Sequence, residues 1–142
     1  MKLDYRHIDL IDLISERHGM LRKLSEDLWN DNSELHISNS EWYIMSRIYK
    51  RQPTIAEVSK NVDISRQATH KFIKNMEAKK LVVVMNVKNN NKEKCIELTE
   101  FGNECFEKNE ALKASLEKKI ADKIGEDQVV FLKKILKSDW GL

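Results

Sequence analysis

Apolar residues recur at three- and four-residue steps through most of the chain, the spacing that gives a helix one buried face. Ile8, Ile11, Ile14, Leu21, Leu24 and Leu28 carry this period and predict a long first helix over residues 5–30, with His18 and Gly19 interrupting the pattern. The turn-rich run NDNSELHISNS (30–40) ends it. Ser40 is then the expected N-cap of a second helix over EWYIMSRIYK, whose stripe is Trp42, Met45, Ile48 and Tyr49. Pro53, the one proline, separates this from a short helix in TIAEVSKNV. There Thr54 and Glu57 have the spacing of a capping box, and Ile55, Val58 and Val62 point inward. That helix stops near residues 61–63.

Ser65 is the natural N-cap of the next helix, because its hydroxyl can accept from an unpaired N–H of the first turn. At about 100° per residue, Ala68, Phe72, Ile73 and Met76 share one arc, and Gln67, His70, Lys71 and Lys74 share the opposite one. LVVVMNV (81–87) and CIEL (95–98) read as two strands around the polar tip KNNNKEK (88–94), hence a hairpin. In the second strand Ile96 and Leu98 share one face, Cys95 and Glu97 the other. Thr99 caps the following helix, with Phe101, Cys105, Leu112, Leu116, Ile120 and Ile124 as its inner side and Gly125 as its end. EDQVVFLKKILKSDW supplies a last helix with Val129, Leu132, Ile135 and Leu136 inward.

A short helix, a tight turn, a basic helix and a basic hairpin, in that order, make a winged helix-turn-helix. The expected fold class is mainly α (α+β), one domain over residues 1–142. A winged-helix DNA-binding lobe occupies 37–99, and residues 1–36 and 100–142 form a helical dimerisation region. Apolar stripes this broad on the terminal helices exceed what one small lobe can cover, so the expected state is an obligate homodimer. Leu132, Ile135, Leu136 and Trp140 would then pack against the first helix of a second copy.

Charge sharpens this picture. The formal net charge is +2, yet residues 50–94 hold eleven Lys and Arg against four Asp and Glu, an excess of +7 that leaves the remainder at −5. A basic middle between mildly acidic ends is the footprint of polyanion binding. A helix with this outer face enters a DNA major groove, and a basic hairpin lies along phosphates or in the neighbouring minor groove. The candidate contacts with double-stranded DNA are Thr54, Ser65, Arg66, Gln67, Thr69, His70, Lys71, Lys74, Lys88, Asn90 and Lys92. A winged helix that docks an acidic protein partner is the rival class, and the paired basic helix and basic wing favour DNA over it. An enzyme does not fit, because the chain has no Gly-rich phosphate loop, nucleophile elbow or paired-carboxylate constellation.

Cys95 and Cys105 make no CxxC pair and read as small packing residues. The four histidines form no His-x-x-x-His pair on one helical face, so neither a metal nor a cofactor is expected. No apolar run approaches the roughly 20 residues that a bilayer span needs. Asp4, Asp9 and Asp12 within the N-terminal pattern are foreign to a signal peptide, and the expected location is cytoplasmic, away from membranes.

The ordered set of elements resembles the MarR family of bacterial transcription regulators over nearly the whole chain. SNSEWYIMSRI looks like its second helix, TIAEVSKNVDISRQATHKFIKNMEAKKLV like its helix-turn-helix, and IELTEFG like the Leu-Thr-x-x-Gly that leads from wing to dimer helix. The resemblance implies a homodimer on a palindromic operator, usually a repressor, often released by a small, commonly aromatic, effector. An effector site would lie between the lobe and the dimer helices, with His18, Trp42 and Tyr43 as lining residues. Two positions depart from the family pattern. Lys80 holds a place that is often Gly, which costs about 1 kcal/mol if the backbone there is left-handed. Asn90-Asn91-Lys92 stands where the family's wing tends to carry Asp-x-Arg, so this wing would add salt-sensitive affinity with little sequence preference.

Overall fold

Side-chain caps decide where the first five helices start. The computed structural model describes residues 4–62 and 64–142, without the Asn91 side chain. Residues 1–3 of the expected dimerisation region and Asp63 of the expected turn lie outside the described residues. Helix α1 (Leu10–Asn32) begins later than residue 5, because the Asp9 carboxylate accepts from the Asp12 N–H at 2.9 Å and fixes the first turn there. Its last turn has no basic residue of its own. The Lys108 ammonium supplies that charge, donating to the Asn32 carbonyl and lying 5.2 Å over the Trp29 ring.

Helix α2 (Asn39–Ile48) is capped by Ser38 rather than Ser40. The Glu41 N–H donates to Ser38 Oγ at 3.2 Å and the Ser38 N–H to Glu41 Oε1 at 3.0 Å, a complete capping box that Ser40 cannot form. Helix α3 (Ile55–Asn61) makes only half of its expected box, the Glu57 N–H donating to Thr54 Oγ1 at 3.1 Å. The backbone before it turns to the sheet instead: the Pro53 carbonyl accepts from the Ile96 N–H at 2.9 Å and Thr54 bridges Cys95.

Helix α4 (Arg66–Ala78) starts on Ser65, whose Oγ accepts from the Ala68 N–H at 3.1 Å. It ends on Lys80 at φ +62°, with the Lys80 N–H donating to the Glu77 carbonyl and the Leu81 N–H to the Met76 carbonyl, both at 2.9 Å. This is the Schellman arrangement, normally built on glycine. The left-handed backbone is therefore real, and the lysine carries its cost of about 1 kcal/mol.

Strands β1 (Val82–Val87) and β2 (Asn90–Leu98) pair antiparallel. β2 begins five residues before the expected Cys95, since its outer half is solvated and needs no apolar side chains to pair. Thr99 then clamps the wing to α5 (Glu100–Ile124): its Oγ1 accepts from the Gly102 N–H at 2.9 Å and donates to the Lys80 carbonyl at 2.7 Å. A Cβ on Gly102 would stand 2.1 Å from the Leu81 carbonyl oxygen, so only glycine fits this close approach.

Helix α6 (Glu126–Lys137) follows Gly125. The core gathers Ile44, Met45, Ile48, Val58, Ile73, Met76, Leu81 and Ile96 of the lobe with Trp29 of α1 and Cys105 and Phe106 of α5. Three sets of expected inward residues are not buried. Phe101 and Ile124 of α5 are exposed, and in α6 only Val129 is covered while Leu132, Ile135 and Leu136 face solvent. On α1, Ile11, Ile14, Leu21 and Leu24 are likewise exposed, as is Leu10 beside them. Among the described residues, none covers these faces.

Candidate nucleic-acid interface

Helix α4 stands clear of the lobe on one side, and Ser65, Arg66, Gln67, His70, Lys71 and Lys74 are all exposed along it. Thr69 is not among them. It is fully buried, with its Oγ1 donating to the Ser65 carbonyl at 3.0 Å, so it cannot hold a phosphate. The signal was present in the sequence: Thr69, Ile73 and Met76 are spaced i, i+4, i+7 and share the core face.

Arg66, His70 and Lys74, spaced by four, form the stripe that faces the wing. They line a cleft of about 400 Å³ with Thr54 at its α3 end and Val84, Lys92, Glu93 and Lys94 on the opposite wall. Gln67 and Lys71 occupy the neighbouring, outer stripe. Ser65 and Thr54 serve as caps through their oxygens, which leaves each hydroxyl proton free to donate. Lys88 lies in the hairpin turn with Asn89, which has φ +66°, and is exposed away from the cleft.

The Asn90 side chain is engaged within the wing. Its Oδ1 accepts from the N–H groups of Lys92 at 2.9 Å and Glu93 at 3.3 Å, and its Nδ2 donates to Glu93 Oε2 at 3.2 Å. Those bonds are internal to the wing. Lys94, absent from the sequence-based candidates, reaches the cleft because it lies two residues before the buried Ile96 and so on the same strand face.

A second cavity, about 480 Å³, opens between α1, α2 and α5. His18, Trp42 and Tyr43 all line it, together with Arg22, Asn109 and Lys113, which the sequence did not single out. Trp42 is held edge-on to Trp29 with ring centroids 4.8 Å apart. The Arg47 guanidinium lies 4.8 Å over the Tyr43 ring and donates to its hydroxyl at 2.8 Å. Ile64, next to the α4 cap, completes one edge.

Both cysteines are buried and free, and burial pushes the Cys105 thiol above its ordinary pKa, which keeps it protonated. Among the described residues no three His, Cys, Asp or Glu side chains converge on a metal-sized site. No helix among them is long and apolar enough to cross a membrane.

The capped α3, the exposed basic α4 that follows it and the paired hairpin define a winged helix. No model of a known protein family and no curated protein matches the chain. Solved structures do. The apo form of MarR from E. coli is similar at TM-score 0.76 and 19% identity, over 92% of this chain and 96% of that one. MepR, a transcription regulator of the Staphylococcus aureus multidrug efflux pump MepA, is similar at 0.74 and 16%, over 91% and 94%. NadR in complex with 4-hydroxyphenylacetate is similar at 0.68 and 20%, over 96% and 95%. The chain has the fold of the MarR transcription regulators, as the sequence resemblance implied.

Proposed function

We propose that this protein is a MarR-type transcription regulator that binds a palindromic DNA operator as a homodimer and acts as a repressor in the cytoplasm. The observation that carries the reading is the cleft in which Arg66, His70 and Lys74 of α4 face Lys92 and Lys94 of the wing. Four permanent cations there outnumber Glu77 and Glu93, on the exposed side of a helix free to enter a groove. The dimer rests on the uncovered apolar faces of α1 and α6.

Arg66, Gln67 and His70 read base edges, while Ser65, Lys71 and Lys74 hold phosphates. Arg66→Ala is expected to cost about 1–3 kcal/mol on the cognate duplex and to relax base preference there. Lys74→Ala is expected to weaken every duplex alike and to flatten the salt dependence by about one. Titrations on cognate and scrambled duplexes check this. Equal losses on both for Arg66→Ala would refute the assignment of base contacts and make Arg66 a phosphate contact instead.

The second cavity suits a small aromatic anion: Trp42 and Tyr43 flank space for a ring, and Arg22, His18 and Lys113 can meet a carboxylate. NadR, of the same fold, carries 4-hydroxyphenylacetate. Aromatic carboxylates are expected to quench tryptophan emission and to release the operator. Emission and operator binding that stay constant across a broad panel would speak against an effector of this class.

A further inference from the structure

The wing is not a plain hairpin. Asn86 pairs with Lys94 and the next β1 residue, Val87, pairs with Asn90, so residues 91–93 are inserted on β2 alone. Such a bulge re-aims the side chains beside it. Asn90 closes it from within, tying down the Lys92 and Glu93 N–H groups through one oxygen and drawing the Glu93 carboxylate to its own amide.

Two consequences follow for the charges. Strand alternation keeps Lys94 on the face of Ile96, toward α4, and the bulge brings Lys92 to the same cleft wall. Among the described residues neither ammonium has a carboxylate within salt-bridge distance, and both are exposed. Lys88, at the turn, is outside the cleft.

We propose that the wing grips DNA along the wall that faces α4 rather than at its turn: Lys92 and Lys94 hold the phosphate backbone that runs between α4 and the wing, and Asn90 is the residue that positions them. This rests on the reading of the protein as a DNA-binding regulator. A lysine ammonium is a hydrated point charge that suits a phosphate and carries no base preference. The wing thus adds affinity to every duplex and fixes how deeply α4 sits.

The test is the salt dependence of duplex binding for the full-length protein. Lys92→Ala with Lys94→Ala is expected to flatten the log–log slope by about two per protomer, on cognate and scrambled duplexes equally. Between about 50 and about 200 mM salt, that narrows the loss of affinity roughly tenfold per protomer, and on the order of a hundredfold for a dimer with both wings engaged. Lys88→Ala is expected to leave the slope unchanged. Asn90→Ala is expected to flatten it in the native background and to do nothing further once both lysines are gone, a pattern that a merely destabilised wing would not give. A flatter slope for Lys88→Ala with none for the double variant would overturn the grip along this wall and leave DNA binding intact. Further flattening by Asn90→Ala without the lysines would overturn its positioning role. A native protein with no salt-dependent duplex binding would overturn the regulator reading itself, and this one with it.

Discussion

Replacing Leu132 and Leu136 together by glutamate is expected to abolish the dimer and to lower operator affinity by about two orders of magnitude or more. Inside the protomer these side chains are 48% and 54% exposed, so the change removes little packing from the chain itself. On α6 they belong to an apolar arc with Phe131 and Ile135, and α1 offers a matching set in Leu10, Ile11, Ile14, Leu21 and Leu24, all exposed. Each such side chain contributes about 1.5–3 kcal/mol when fully buried. A contiguous face of this kind is what the proposed dimer would bury, α6 of one copy against α1 of the other. Two carboxylates placed in it must be desolvated without partners, which outweighs the gain from the remaining contacts. A monomer reads one half-site and loses the gain of joint engagement. Sedimentation equilibrium beside operator titration checks the point. A variant that stays dimeric, or a monomer of undiminished affinity, would contradict the interface.

Lys79→Met is expected to destabilise the chain by about 3 kcal/mol, read as a shift of the urea midpoint at unchanged slope. Glu41 is 2% exposed, and both its oxygens accept from the Lys79 ammonium, at 2.8 and 2.9 Å. Glu41 also closes the α2 capping box, so it cannot swing out to water without opening that turn. Removing the lysine leaves a buried carboxylate with one backbone donor, which is the costly half of breaking such a pair. Adding Glu41→Gln is expected to restore most of the loss, since the neutral amide still accepts from Ser38. A Lys79→Met protein as stable as the native chain would show that the pair carries no weight. The pair also ties the C-terminal end of α4 to the start of α2, whose Trp42 and Tyr43 line the second cavity.

Much of the lobe was legible in the sequence because its elements bury one face within the chain. Ile73 and Met76 fall where the 3.6-residue period puts them, and Ser65 caps where its spacing from Ala68 allows. The misses have distinct physical origins. Two serines compete for the α2 cap, and only the reciprocal bond with Glu41 chooses Ser38. Thr69 was read by its hydroxyl rather than its arc; burial won because the hydroxyl can bond back to Ser65. The strand from Asn90 to Lys94 has no apolar alternation to announce it, since both its faces meet water. Phe101, Leu132, Ile135 and Leu136 obey the helical period, but a period reports that a face is apolar, not which molecule covers it. Lys94 was passed over because its place in the cleft depends on strand parity set by Ile96, beside a bulge that only the pairing register reveals.

The most direct measurement of the central claim is selection of bound sequences from a random duplex pool by the native protein. The expected product is an inverted repeat whose half-sites are separated by about one helical turn or a multiple of it, as a two-fold dimer with one α4 per half-site requires. An unenriched pool, or a single half-site recovered without its symmetric mate, would contradict a dimeric, sequence-reading regulator.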